Sequence, residues 1–305
     1  MKKLSPLLIV FAAILWSLDG VLRRNLYSIP PATLVMLEHL IGVFIVLPML
    51  PKALKEYKKM TKKDWWLISI ITFFASVLGT IFYTAALAKV NYINYSVVVL
   101  LQQTQPIFAI ALATLLLKEK STKNYPLLAI IGLTSAYFLA FPQFKPTLLG
   151  GNGELTAATL AMGAAIFWGA GTVLGKMILK TLSFRAVAIL RFSLAVPMAY
   201  IISLVTHQTL PLSSVTPTQW LYLIGIALSS GMVAFLIYYK GLKHTPAKVA
   251  TFAEMTWPVS AAFIGLVFLK ETLTLVQLIA GIILMADILF LSLNSQANAK
   301  TLKNG

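Results

Sequence analysis

The 305-residue chain contains no cysteine, which excludes a disulfide framework, thiolate nucleophiles and a Cys-ligated metal. Histidine is nearly as scarce. His39, His207 and His244 are scattered singly and offer no metal-ligand spacing. Charged residues make up only 11% of the chain and acids number nine, against roughly 25% charged residues in a soluble domain. Apolar residues take their place, at 59%, with a mean hydropathy of +0.85. The chain reads as an all-α integral membrane protein with almost nothing left over for an aqueous domain.

A membrane span needs about 20 apolar residues, and ten segments qualify in outline: 5–23, 32–50, 65–88, 94–117, 125–142, 155–178, 184–205, 218–239, 247–269 and 273–293. The fifth is the shortest, bounded by Pro126 and Pro142. The first has the basic and apolar regions of a signal peptide, but Trp16 and Asp19 interrupt it, Arg23-Arg24 follow, and no convincing small-x-small cleavage site is present. It is expected to be retained as a helix. Turn and charge signals separate the segments, among them "PKALKEYKKMTKKD", "KEKSTKN", "HQTLPLSSVTPTQ" and "LKHTPAK". Trp65, Trp66 and Trp220 fall at span ends, where tryptophan anchors to the interface.

The formal net charge of +16 is explained by topology. With the N-terminus in the cytoplasm, nineteen Lys and Arg fall in inner segments, five (Arg23, Arg24, Lys89, Lys145 and Lys270) in outer ones, and Arg191 within a span. Lys and Arg gather on the cytoplasmic side, so both termini are expected there. A nucleic-acid footprint is not indicated, since no basic cluster belongs to a folded aqueous domain.

The chain also repeats itself. "AAILWSLDGVLRR" at 12–24 matches "AAIFWGAGTVLGK" at 164–176, pairing Trp16 with Trp168 at an offset of 152 residues. The same offset pairs Gln102 with Glu254, Pro106 with Pro258, and Lys118-Glu119 with Lys270-Glu271. These landmarks argue for a duplicated five-helix unit: residues 1–149 and 154–296, joined at 150–153 by "GGNG", with 297–305 as a cytoplasmic tail. Because each unit has an odd number of spans, the second enters the membrane from the opposite face. Inverted repeats of this kind characterise secondary transporters, with a substrate site near the midplane; a channel or a scaffold could share the architecture.

The paired motifs resemble those of the drug/metabolite transporter superfamily, in particular its EamA-type members. The resemblance spans essentially the whole chain. It rests on "LWSLDG" and "FWGAG" in the first helix of each repeat, "ILRFSLAVP" in the seventh helix, and a proline in the fourth and ninth helices followed by "LLKEK" or "FLKET". The first repeat departs from the pattern, with "LEHLIGVFIVLP" where the second has its "RF" segment. The resemblance implies ATP-independent transport of small organic solutes, often export of amino acids or other metabolites.

Ionisable side chains inside a span cost about 2.5–3.5 kcal/mol each on insertion scales, so each calls for a cavity or a partner. At the repeat offset His39 corresponds to Arg191, whereas Glu38 corresponds to Leu190 and is an addition peculiar to the first half. In "LLQQTQPIF", Gln102 and Gln105 are three apart, the spacing of one helix face, and Pro106 loosens the turn before it. The counterpart "FAEMTWPVS" places Glu254, Trp257 and Pro258 at the same positions. Side chains beside weakened turns suit a cavity lining, or alternatively a set of interhelical hydrogen bonds. Trp16 and Trp168 are candidate aromatic walls or packing residues. Asp19 and Arg23, four apart, suit a pair at the outer mouth; Asp287 suits helix packing.

"GAGTVLGKM" at 169–177 mimics a phosphate loop, but five residues separate Gly169 from Gly175, Met177 stands where Ser or Thr is required, and no strand precedes it. Gly171 and Gly175 read instead as a packing face. With no HExxH or GxSxG motif and no nucleophile, metal or cofactor constellation, an enzyme is not expected.

The expected function is a secondary active transporter in the plasma membrane, exporting a small organic metabolite by alternating access. Glu38, His39, Gln102, Gln105, Arg191, Glu254, Trp257, Trp16 and Trp168 are the candidate substrate-binding residues. Glu38 or Glu254 is the candidate proton-coupling site, since an acid in low dielectric takes up a proton more readily; His39 could relay that proton. Arg191 would pair with an intramembrane acid or take a substrate carboxylate, which favours an amino-acid-like solute. Lipophilic amines or drugs, and a non-transporting scaffold or sensor, are the alternatives. The expected partners are the solute, the bilayer, protons and, as an option, a second copy of the chain.

Overall fold

The computed structural model of the chain describes residues 5–89, 91–117, 123–144, 153–242, 253–254 and 256–301. Among the described residues, seven helices are long and apolar enough to cross a membrane: α1 (Ser5–Leu26), α2 (Pro31–Tyr57), α3 (Lys62–Leu87), α4 (Tyr95–Leu116), α6 (Gly153–Gly175), α7 (Phe184–Val205) and α8 (Pro217–Tyr238). Three shorter apolar helices are α5 (Tyr125–Ala140), α9 (Thr256–Phe268) and α10 (Leu275–Leu291). The last continues as helix to Thr301, into the stretch read from sequence as a tail. All of "LKHTPAK" after its first residue, the residues 118–122, most of "GGNG" and the first part of the expected ninth span lie outside the described residues.

Helices are the form in which an apolar segment satisfies its own backbone in lipid, and short polar signals set where several begin. Thr61 caps α3 through the Asp64 N–H while Asp64 accepts from the Thr61 N–H at 2.9 Å. Thr216 and Gln219 form the same reciprocal box at α8, as Thr274 and Gln277 do at α10. Each box satisfies otherwise orphaned donors in the first turn.

Several helices are interrupted, and the interruptions face inward. α1 breaks after Ser17, resumes over Asp19–Arg23 and ends in a 3-10 turn over Arg24–Leu26. α3 widens to a π-helical stretch over Thr72–Leu78. α4 consists of Tyr95–Gln102 and Gln105–Leu117, parted at Gln103-Thr104 where Pro106 withholds its donor.

The closest packings run between the halves of the chain. α1 packs on α8 and α9; α6, its counterpart at the repeat offset, packs on α3 and α4. α2 lies along α7, and α5 along α10. The largest buried cluster joins α3, α4, α5, α6, α9 and α10 around Val98, Leu101, Leu139, Ala161 and Leu284. Of the two glycines read as a packing face, Gly171 lies against Ala75 of α3, whereas nothing approaches the Cβ position of Gly175 within 4 Å.

Candidate functional site

Two groups of polar and aromatic side chains occupy the interior, and they divide the residues singled out from sequence. The first centres on Arg23. Its Nε donates to Asp19 Oδ2 at 2.7 Å, its Nη2 to Asp19 Oδ1 at 3.1 Å, and its Nη1 to Thr84 Oγ1 at 2.9 Å. Nη2 also pairs with Glu38 Oε1 at 2.7 Å. Ser230 Oγ donates to Asp19 Oδ1 at 2.8 Å, and the guanidinium lies 5.8 Å from the centre of the Tyr83 ring. Asp19, Arg23 and Glu38 are all buried. One guanidinium thus ties together α1, α2 and α3, with a fork geometry that suits Arg and that Lys could not reproduce, and Asp19 adds α8 through Ser230.

This refines the placement of Arg23 among the outer cations at the end of the first span. The helix runs on past it to Leu26, so Asp19 and Arg23 share an inward face, and each supplies the countercharge that makes the other's burial tolerable. The partner found for Glu38 is therefore Arg23.

His39, next along α2, turns elsewhere. Its Nδ1 donates to the Val35 carbonyl at 2.8 Å, and its ring lies 4.8 Å from that of Phe192 on α7. Arg191 Nε donates to Ser76 Oγ, in the π-helical stretch, at 2.9 Å, and its guanidinium lies 6.0 Å from the Phe235 ring centre. Tyr83 and Phe235 are themselves 152 residues apart, so the rings beside Arg23 and Arg191 are related by the repeat offset although the two arginines are not.

The second group lies between α1, α8 and α9. Trp16 stands 5.2 Å from Tyr238 and 6.1 Å from Trp257, centre to centre. Tyr238 Oη donates to Glu254 Oε1 at 2.7 Å. All four side chains are half-buried. Three aromatic rings and a carboxylate can stack on a flat solute and orient it through a few polar contacts.

Gln102 and Gln105 both meet α6 but at separate points, because the helix breaks between them. Gln102 Nε2 donates to the Ala161 carbonyl at 2.8 Å, and Gln105 Nε2 to Thr172 Oγ1 at 3.2 Å. Trp168 packs on Tyr83 at 5.3 Å, and its indole N–H donates to the Ala75 carbonyl at 3.0 Å. The structure therefore brings together Trp16, Glu254 and Trp257, and sets Glu38, His39, Arg191 and Trp168 apart from them. Asp287 lies at the α5–α10 contact, its carboxylate against Gly132 and both oxygens buried without a hydrogen-bond partner among the described residues.

Sequence reasoning missed Tyr238, Thr84, Ser230 and Ser76. For Tyr238 the signal was weak: an aromatic residue in an apolar span is ordinarily packing. Thr84, Ser230 and Ser76 had none, since a hydroxyl in a span usually bonds its own helix.

The chain was compared with known proteins. The family model described as EamA-like transporter family matches it twice, over residues 3–141 and 155–293. The riboflavin transporter ImpX of Fusobacterium nucleatum is 34% identical over 288 residues, covering 94% of this chain and 96% of that protein. An uncharacterized transporter of Clostridium kluyveri is 26% identical over 304 residues, covering 98% and 96%. A solved crystal structure matches with a TM-score of 0.58 at 16% identity, over 99% of this chain and 98% of that one, a likeness of fold. Together with the apolar helices, these matches identify a multi-pass membrane protein that carries small molecules and is no enzyme. The chain belongs to the EamA-like transporter family.

Proposed function

We propose that this protein is a secondary transporter of the plasma membrane that carries a flat heteroaromatic solute of the flavin type by alternating access. In this reading ten spans form two inverted five-helix repeats, with both termini in the cytoplasm. The double match of the family model and the exchanged packing of α1 with α8 and of α6 with α3 support the repeats. Inverted repeats place a substrate site between the halves beside discontinuous helices, and Trp16 of the aromatic group lies where α1 breaks after Ser17.

The observation that carries the substrate class is this aromatic group, taken with the name of the relative at 34% identity. An amino-acid-like solute was attractive while an acid and Arg191 could be imagined facing one cavity. Glu38 pairs with Arg23 instead, so Glu38 does not supply the acid that would face Arg191 in a zwitterion site.

Proton coupling finds support in a count of charge. Asp19 and Glu38 share a single guanidinium, so the buried cluster carries one negative charge in excess. A proton is the smallest species that removes it. Glu38, held by one contact where Asp19 is held by three, is the acid that takes the proton in this proposal. Glu254 is the second coupling candidate, linked through Tyr238 to the aromatic group.

Purified protein in proteoliposomes tests the proposal. Riboflavin entry that saturates and is stimulated by a pH gradient is expected, with amino acids and lipophilic amines carried poorly. Preloaded vesicles read the reverse direction, the export that the family resemblance implies. A saturable carrier preferring amino acids would sink the flavin reading, and no transport of any solute would favour the scaffold. If Glu38→Gln and Glu254→Gln both keep gradient-driven flux, the coupling assignment is wrong.

A further inference from the structure

Two buried polar atoms are left over near the aromatic group, and they are chemically complementary. The Trp257 indole Nε1, a donor, and the Gln102 Oε1, an acceptor, are both buried with no hydrogen-bond partner among the described residues. Burying such a group unpaired costs roughly 1–3 kcal/mol, so each calls for an account.

The two residues stand at nearly the same level along the packed helices. Glu271, just past the end of α9, accepts from the backbone N–H groups of Tyr95 at 2.9 Å and Ser96 at 3.2 Å, and Asn94 Nδ2 donates to the Thr272 carbonyl at 3.1 Å. Gly265 packs against Ser96, and α4 and α9 lie side by side, so the helices run antiparallel from this end. Trp257 is eight residues back from Gly265 and Gln102 six residues on from Ser96. At 1.5 Å per residue these are shifts of about 12 and 9 Å in the same direction. Gln102 stands where α4 parts, and Trp257 immediately precedes Pro258, which withholds a backbone donor from its helix.

The orientation of the amide is fixed. Gln102 Nε2 is committed to the Ala161 carbonyl at 2.8 Å, which only accepts, so the amide oxygen is the atom left without a partner among the described residues. Trp257 is fixed on its other side by Trp16, at 6.1 Å. A ligand that stacks on Trp16 and Tyr238 therefore meets one N–H and one C=O that need an acceptor and a donor in return.

We infer that Trp257 Nε1 and Gln102 Oε1 form a polar subsite that reads an imide edge, the –CO–NH–CO– group of a pyrimidine-dione or flavin ring. The indole N–H donates to a ring carbonyl, and Gln102 Oε1 accepts from the adjacent ring N–H. This subsite rests on the flavin reading and deepens it: the aromatic rings select flatness, and the two polar atoms select the donor–acceptor pattern at one edge. Lipophilic amines and amino acids lack that pattern.

The test compares riboflavin with 3-methylriboflavin, in which a methyl replaces the imide hydrogen, by quenching of flavin fluorescence on the full-length protein in detergent or nanodiscs. The wild-type protein is expected to bind riboflavin roughly tenfold more tightly, the worth of one neutral hydrogen bond that leaves a buried partner unpaired when lost. In Gln102→Met the preference should collapse towards one. Trp257→Phe should weaken both flavins and leave their ratio intact. A wild-type ratio near one overturns the subsite, and so does an unchanged ratio in Gln102→Met. The wild-type ratio needs no variant, so it decides even if Gln102→Met does not fold. If no flavin binds, the flavin reading falls. Lumazine and uridine, which carry the same edge, then decide the subsite: binding of either, weakened by methylation of the imide nitrogen, upholds it, and binding of neither brings it down.

Discussion

Arg23 is the residue on which most of the buried charge converges, and its removal leaves two carboxylates without a countercharge. Breaking a buried ion pair from one side costs about 3–5 kcal/mol. Arg23→Met is therefore expected to lower the thermal midpoint in detergent sharply, while Glu38→Gln, which leaves a balanced Asp19–Arg23 pair, is expected to lower it far less. Equal midpoints for the two variants would remove the energetic role given to the cluster. Half of this cluster was legible in the sequence: Asp19 and Arg23 are four apart, and helical spacing pairs them. Its other half was not. Counting loop cations assigned Arg23 to an outer segment, and nothing local in "LVMLEHLIG" indicates which distant cation meets Glu38. In the aromatic group, Glu254 and Trp257 were legible as residues beside a weakened turn, and Trp16 as a candidate aromatic wall. Tyr238 was not, because its bond to Glu254 arises only when α8 and α9 pack.

At the scale of elements, the interruptions separate what proline dictates from what packing dictates. Pro106 announces the break in α4, since the missing N–H is a property of that residue alone. The π-helical stretch Thr72–Leu78, "TFFASVL", contains neither Pro nor Gly, and no sequence signal marks it. Its widened turn goes with two contacts from outside the helix, Trp168 to the Ala75 carbonyl and Arg191 to Ser76 Oγ. Wide turns of this kind concentrate at functional sites. Pro106→Ala restores a donor and permits a continuous α4. The expected outcome is an unchanged thermal midpoint and unchanged equilibrium flavin binding, with slower counterflow in vesicles, because hinge changes act on turnover. Undiminished counterflow would assign the break to packing alone.

At the scale of the whole molecule, the missing cysteine becomes an experimental asset. Single-cysteine labelling reads topology without background: Lys59→Cys is expected to be shielded from an impermeant maleimide added outside, and Tyr92→Cys to be labelled. The opposite pattern would invert the assignment of both termini to the cytoplasm. Helix identity and approximate span limits were legible from hydropathy, and the 152-residue offset agrees with the two matches of the family model, over residues 3–141 and 155–293. The pairing of helices was not legible, because a uniformly apolar helix has no polar face to say which neighbour it prefers.

That pairing bears on how the protein is made. α1 finds its closest neighbours in α8 and α9, α2 in α7, and α5 in α10, so a nascent first half enters the bilayer with most of its partners not yet synthesised. It must wait there as loosely associated helices, with the charges of Asp19 and Glu38 held only by Arg23. Expressed alone, residues 1–149 are expected to be cleared by membrane quality control; co-expressed with residues 154–305 as a separate chain, they are expected to persist and be recovered as a complex. The two halves are thus interleaved strands of one assembly, and the maturation of the first is timed by the arrival of the second.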